Sequence, residues 1–226
     1  MSAVEKTLAA RFAELQAERA RTWDPASLQA NAGQRRRLVE AAATRRIVAP
    51  GDRLPDVSLR TANDGPLSLR QILEEGPAVL VFFRFATCPA CNIALSHYEQ
   101  SLLPGLTSLG VRLMALSPQI PQRVQDIVGA QSLSFPVLTD PNNELARSLG
   151  LTFEPTENEK SASLARGSFI GDTTGTGTWE LPMPGIVLAG RDRVVHFVHI
   201  SPDWLDRSEA GPVLEAARLL AQSRAA

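Results

Sequence analysis

Apolar positions along this chain follow two periods in succession. Between residues 3 and about 22 they recur at helical spacing, and Val4, Leu8, Phe12 and Leu15 fall on one stripe. Asp24-Pro25 breaks that helix. A second helical stretch is predicted over 25–46, with Leu28, Leu38 and Val39 as its apolar positions. Pro50-Gly51 then marks a boundary. The pattern divides the chain into an N-terminal helical arm, residues 1–48, and one domain, residues 49–226.

Past the boundary, strands and helices alternate. Residues 57–60 predict a short strand and 67–73 a turn-and-helix element. Residues 78–84, AVLVFFR, form a continuous apolar run closed by one charge, as a central strand buried on both faces requires. A helix is expected over 88–106, with Ile93, Leu95, Tyr98 and Leu102 as its apolar positions. A second buried strand over 111–116, a helix over 121–128, a strand over 135–138 and a short helix over 142–149 follow. Residues 151–180 carry no clear period, and their Gly/Thr-rich part, 171–178, reads as a mobile loop. Strands at 186–189 and 194–200 pair around Gly190-Arg191-Asp192, and a helix over 212–223 closes the chain. The expected fold class is α/β, a central mixed sheet flanked by helices and preceded by the helical arm.

Composition narrows the function. With 44% hydrophobic and 21% charged residues, the chain can bury a core without metals or a disulfide framework. A formal net charge of −1 supplies no long-range field for nucleic acid, so none is expected as a partner. The arginines Arg35, Arg36, Arg37, Arg45 and Arg46 read either as a solvated helix face or as an anion site. The first twenty residues have no apolar run of signal-peptide length, and no stretch approaches a membrane span. The expected location is cytoplasmic. In a reducing compartment, two cysteines at short spacing point to catalysis or metal binding rather than a staple.

Those cysteines sit where the buried strand hands over to a helix, in Arg84-Phe85-Ala86-Thr87-Cys88-Pro89-Ala90-Cys91. Pro89 fits the first helical position, where its missing N–H costs nothing. Cys88 is then the helix N-cap, facing free backbone N–H groups and the positive dipole end, so its pKa should fall below the free value of roughly 8.5. Arg84 can add positive potential. Cys91, one turn inside the helix, is within reach of Cys88.

Zinc would need two further ligands. His196 and His199 lie on opposite faces of a predicted strand, and His97 is nine residues past Cys88, so no metal is expected. No cofactor is expected either. Redox chemistry is favoured over an inert buried pair. A second feature is Leu181-Pro182-Met183-Pro184-Gly185 before the late strand. Pro184 abuts that strand and is either a turn proline or a cis proline facing the cysteines. In the cis case it would present the Met183 backbone to an incoming thiol or disulfide.

The stretch FFRFATCPACNIALSHYEQ resembles the peroxiredoxin-like branch of the AhpC/TSA (redoxin) family, within the thioredoxin superfamily. The resemblance continues through GDRLPDVSLR, FPVLTDPNNELARSLG and TWELPMPGIVLAGRDRVVHFVHISPDW, covering about residues 50–220. It implies a thioredoxin-like fold and an antioxidant oxidoreductase whose peroxidatic cysteine, here Cys88, becomes a sulfenic acid. Cys91 would resolve that acid to a redox-active CxxC disulfide. A thioredoxin- or glutathione-like electron donor is implied as partner.

Two departures stand out. Typical members carry a threonine three residues before the peroxidatic cysteine, where this chain has Phe85, and an arginine on the late strand near the place of Pro184. Arg84 and the Thr87 hydroxyl are the candidate substitutes. Thioredoxin itself carries a tryptophan where Thr87 stands and a carboxylate where Phe82 stands, which leaves water or Glu180 as a base for Cys91. The alternative activity is thiol–disulfide exchange on protein or small-molecule disulfides. A third reading is a redox-sensing module whose arm docks on a partner or forms a homodimer.

Overall fold

The computed structural model describes residues 6–223. Helices α1 (Leu8–Thr22) and α2 (Pro25–Ala43) form the N-terminal arm. They break where the sequence predicts, because Asp24 caps α2 by accepting the Ser27 N–H at 2.9 Å and Pro25 takes the first helical position. Val4 lies outside the described residues. Leu8 and Phe12 are buried in the same cluster as Val79, Val81 and Leu95, with Leu15 packed against it. The stripe therefore covers the chain's own core.

The remaining elements follow in chain order. They are β1 (Ser58–Arg60), β2 (Pro66–Ser68), α3 (Leu69–Glu75), β3 (Ala78–Phe82), α4 (Pro89–Ser101), α5 (Leu103–Ser108) and β4 (Arg112–Ser117). Next come α6 (Pro121–Gln131), β5 (Val137–Thr139), α7 (Glu144–Ser148), β6 (Thr152–Phe153), α8 (Glu157–Ala165) and α9 (Ile170–Thr174). The chain closes with β7 (Leu181–Pro182), β8 (Gly185–Ala189), β9 (Val195–Ile200) and α10 (Ala210–Ser223). A seven-stranded mixed sheet runs in the order β2-β1-β5-β4-β3-β8-β9. Strand β3 is central, parallel to β4 and antiparallel to β8.

All five residues of β3 are buried, and they alternate between two cores. Val79 and Val81 face the cluster that holds α4, the arm and α10, while Ala78, Leu80 and Phe82 face the one that holds α3 and α7. This is the thioredoxin-like arrangement, and it aims the C-terminal end of β3 at the N-terminus of α4.

Three expectations need correction. The helix expected over 88–106 is two helices, because Pro104 has no N–H to continue α4 and falls in the first turn of α5. The unpatterned stretch 151–180 contains α8, which starts with a capping box between Thr156 and Glu159. No residue of α8 is buried, so it carries no apolar period. The Gly/Thr stretch begins inside α9 and continues as a ladder of Thr174, Thr176 and Thr178 hydroxyls at 2.8 and 3.1 Å.

The arginine cluster divides. Arg36, Arg45 and Arg46 are exposed, as a solvated face requires, with Arg45 donating to the Thr152 carbonyl and Arg46 to the nearby Asp52. Arg35 and Arg37 are partly buried: Arg35 binds both carboxylate oxygens of Asp203 at 3.2 and 3.0 Å, and Arg37 pairs with Glu159 at 2.5 Å. These two contacts tie the arm to distant parts of the domain.

Candidate active site

The site forms where β3 ends. The Phe83 N–H still donates to the Leu116 carbonyl, continuing the ladder by one residue, and the chain then turns through 84–87 into α4. A buried polar loop after β4 holds that turn. Ser117 donates its hydroxyl to the Arg84 carbonyl at 3.1 Å, and Gln119 accepts the Ala86 N–H at 2.8 Å. Thr139 in turn donates to the Gln119 carbonyl at 2.7 Å. Cys88 is the N-cap of α4, with Pro89 beside it, and its Sγ accepts the Cys91 N–H at 3.4 Å.

Both cysteines are free, and both have 0% exposure. Arg84 donates from Nη2 to Cys88 Sγ at 3.1 Å. Arg207, 8% exposed, points Nη2 at Cys91 Sγ at 3.8 Å. One residue serves both guanidiniums. The ring of Trp204 lies 4.3 Å beneath the Arg84 guanidinium, and its carbonyl accepts the Arg207 Nε–H at 2.8 Å. A third cation, the buried Arg19 of α1, stacks over Trp23 at 4.7 Å and lies within electrostatic reach of Cys88.

The protonation of the pair reverses an expectation. Cys88 does not titrate low: its hydrogen bond to Cys91 pushes its pKa well up, and burial adds to this against the opposing charge of Arg84. Cys91 titrates low. Burial opposes its ionisation, but the hydrogen bond from Cys88 and the charges of Arg207 and Arg84 outweigh burial. The reduced pair thus carries one shared charge, with a proton held between the sulfurs. Burial also opposes the charge on Arg84, and the charge on the sulfurs raises its pKa nonetheless.

Of the residues singled out in the sequence, Arg84, Cys88 and Cys91 come together. Thr87 is exposed while both sulfurs are buried. Pro184 is buried at the start of β8, but no peptide bond among the described residues is cis. The Met183 N–H donates to the Leu151 carbonyl at 2.7 Å, so the edge expected to meet a substrate is already occupied. Glu180 is held by Arg147 Nη2 at 2.5 Å and receives Asn143 Nδ2 at 3.4 Å, an ion pair rather than a base for Cys91. Arg207, Trp204 and Arg19 were not anticipated as site residues. Trp204 closes the motif ending ISPDW, but nothing local marks Arg207 or Arg19 as facing a sulfur.

A cleft of about 590 Å³ opens beside Arg84 and Phe85. Trp23, Phe153 and Trp179 give it aromatic walls, and Asn31 and Arg166 add polar ones. Trp179 is fixed edge-on against Phe169 with ring centroids 4.7 Å apart. Among the described residues, no group of three or more His, Cys, Asp or Glu side chains could hold a metal ion.

Comparison with known proteins follows the same lines. Residues 50–197 match the model of the AhpC/TSA family. A curated peroxiredoxin of Mycobacterium tuberculosis is 28% identical over 130 residues, which span 57% of this chain and 81% of the relative. Among solved structures, the peroxidoxin BcpB of M. tuberculosis superposes with a TM-score of 0.58 at 19% identity, covering 76% of this chain and 97% of the other. A cysteine-to-serine mutant of peroxiredoxin 6 from Arenicola marina gives 0.59 at 18% identity, covering 78% and 75%. At those identities the structures speak for the fold.

Proposed function

Because the chain belongs to the AhpC/TSA family, we propose that it reduces hydroperoxides with Cys88 as the attacking sulfur and Cys91 as the sulfur that resolves the product. The supporting observation is the pair itself: two buried thiols in mutual contact, with Arg84 donating to the first at 3.1 Å. The pair's shared charge, when it sits on Cys88, lies against the Arg84 guanidinium, as a displacement on oxygen requires, since negative charge moves from sulfur to the departing oxygen.

The sequence of steps follows from the shared proton. The pair holds one proton and one charge; with the proton on Cys91, Cys88 Sγ attacks the nearer peroxide oxygen as a thiolate. The S–O bond forms, the O–O bond breaks, and the leaving alkoxide or hydroxide takes the proton from Cys91. Cys88 is now a sulfenic acid and Cys91 a thiolate again. Cys91 then attacks Cys88 Sγ, the S–S bond forms, and hydroxide leaves and is protonated by solvent. One peroxide has been reduced by two electrons and two thiols oxidised to one disulfide. Cys91 thereby holds the proton that the leaving oxygen needs. A thioredoxin- or glutathione-like dithiol or thiol returns the pair to its reduced form. Thiol–disulfide exchange on other substrates draws on the same spacing, but the Met183 N–H that would help seat them is already bonded to the Leu151 carbonyl, which favours the peroxide reading.

Mass spectrometry after one equivalent of peroxide tests the assignment. Wild type should hold an intramolecular disulfide, and Cys91→Ser a sulfenic acid on Cys88. A sulfenic acid on the other sulfur, in Cys88→Ser only, would reverse the roles.

A further inference from the structure

Arg84 and Arg207 are not equivalent. Arg84 leaves the end of β3 and touches Cys88, whereas Arg207 arrives from the segment between β9 and α10 and touches Cys91. The stretch matched by the family model ends at residue 197, before Trp204 and Arg207. The segment is nevertheless fixed with care. The Tyr98 hydroxyl, two turns beyond Cys91 on the same helix, donates to the Ser208 carbonyl at 2.9 Å. Arg35 of α2 grips Asp203, and Glu209 accepts the N–H groups of Leu8 and Ala9 at 3.1 and 3.0 Å. Three elements thus hold a frame in which Arg207 has its Nε bound to the Trp204 carbonyl and its Nη2 aimed at a sulfur.

We propose that Arg207 is a catalytic residue of the second chemical step, binding the Cys91 sulfur as a thiolate and aiming it at the oxidised Cys88. This deepens the reading above and rests on it. Once Cys88 is a sulfenic acid the shared proton has left the pair, and Cys91 must carry the charge alone as the nucleophile. Arg207 then remains as a charged donor at that sulfur. The resolving attack forms the S–S bond, breaks the S–O bond and releases hydroxide, and Arg207 neither gains nor loses a proton in it. The groups facing the pair from the packed elements are Arg84 from β3, Arg19 from α1 and Arg207, with Tyr98 on α4. Burial holds the Tyr98 phenol well above its ordinary range, so it stays neutral through the working pH span. Glu209 and His97 meet at 3.4 Å beside it.

Stopped-flow kinetics with limiting hydrogen peroxide separates the steps, with a dimedone-type probe reporting sulfenic acid and quenched mass spectra reporting disulfide. In Arg207→Gln the acid limb of the disulfide-forming rate should move up by about one pH unit. The rate at pH 6 should fall roughly three- to tenfold, because a less acidic thiolate is scarcer but more nucleophilic. Cys88 oxidation should fall by a smaller factor, so sulfenic acid accumulates. Arg207→Lys, which keeps the charge, should restore the limb and part of the rate. An unchanged limb and rate in Arg207→Gln, or equal slowing of both steps with no rescue by lysine, would overturn the inference. Should Arg207→Gln not fold, the lysine variant decides alone: a limb displaced as far as one pH unit would show that the charge is not what matters. Failure of the underlying reading looks different, since wild type would then yield no sulfenic acid on Cys88 at all.

Discussion

The 84–91 turn is closed by contacts within four residues of chain, such as Arg84 to Cys88 and the Cys91 N–H to Cys88. The 201–209 segment that meets it at the sulfurs is tied there by contacts 110 and 116 residues apart, from Tyr98 to Ser208 and from Arg207 to Cys91. The first region brings its chemistry with it: a strand end, a proline at the helix start and two cysteines one turn apart produce the pair by local geometry. The second is chemically silent until the whole fold places it. Arginine three residues after tryptophan is an ordinary surface pattern, and only the docking of α4 and the arm turns it into part of a site. Short-range constraint sets which sulfurs meet; long-range packing sets the field around them.

Trp204 offers the strongest way to break this contrast, since it is 2% exposed and touches both arginines. Trp204→Ala should lose about 3–5 kcal/mol in denaturant unfolding. Trp204→Phe should stay within about 1.5 kcal/mol of wild type, because it keeps a face for Arg84 and removes an indole N–H with no hydrogen-bond partner among the described residues. Equal losses in the two variants would mean that the segment is held by shape rather than by its aromatic face.

Arg84 ranks next. Arg84→Ala should slow the oxidation of Cys88 by roughly 100-fold in single-turnover measurements, as loss of a preorganised donor does elsewhere. An unchanged rate would remove the local turn from the chemistry and leave the distant segment in charge.

The smallest effect belongs to Arg19, which acts across space from the arm. Arg19→Gln should slow the same step by about two- to threefold at low ionic strength, with the difference fading as salt rises. A salt-independent defect would point to altered packing of α1 instead.

Much of the fold was legible because its signals are short. The buried run that became β3, the Asp24-Pro25 break and the paired strands around Gly190 each depend on a few neighbouring residues. Helix α8 escaped because none of its residues is buried, so its capping box had no apolar period to support it. Within the site, Cys88, Cys91 and Arg84 could be named from the turn alone. The direction of the proton between the sulfurs could not, since it depends on Arg207 and on burial that only the assembled core imposes. The ion pairs of Arg35 and Arg37 were hidden for the same reason: their partners Asp203 and Glu159 lie far along the chain.

With both sulfurs sealed from solvent, a bond between them lies out of reach of any protein-sized reductant while the turn stays docked on the 201–209 segment. Under the proposed cycle the turn would have to part first from Trp204 and Arg207, and the frequency of that opening would cap the regeneration rate however much reductant is supplied. The contacts proposed to sharpen the forward chemistry would then be the same ones that slow its reset, a compromise between a tight frame and one that breathes.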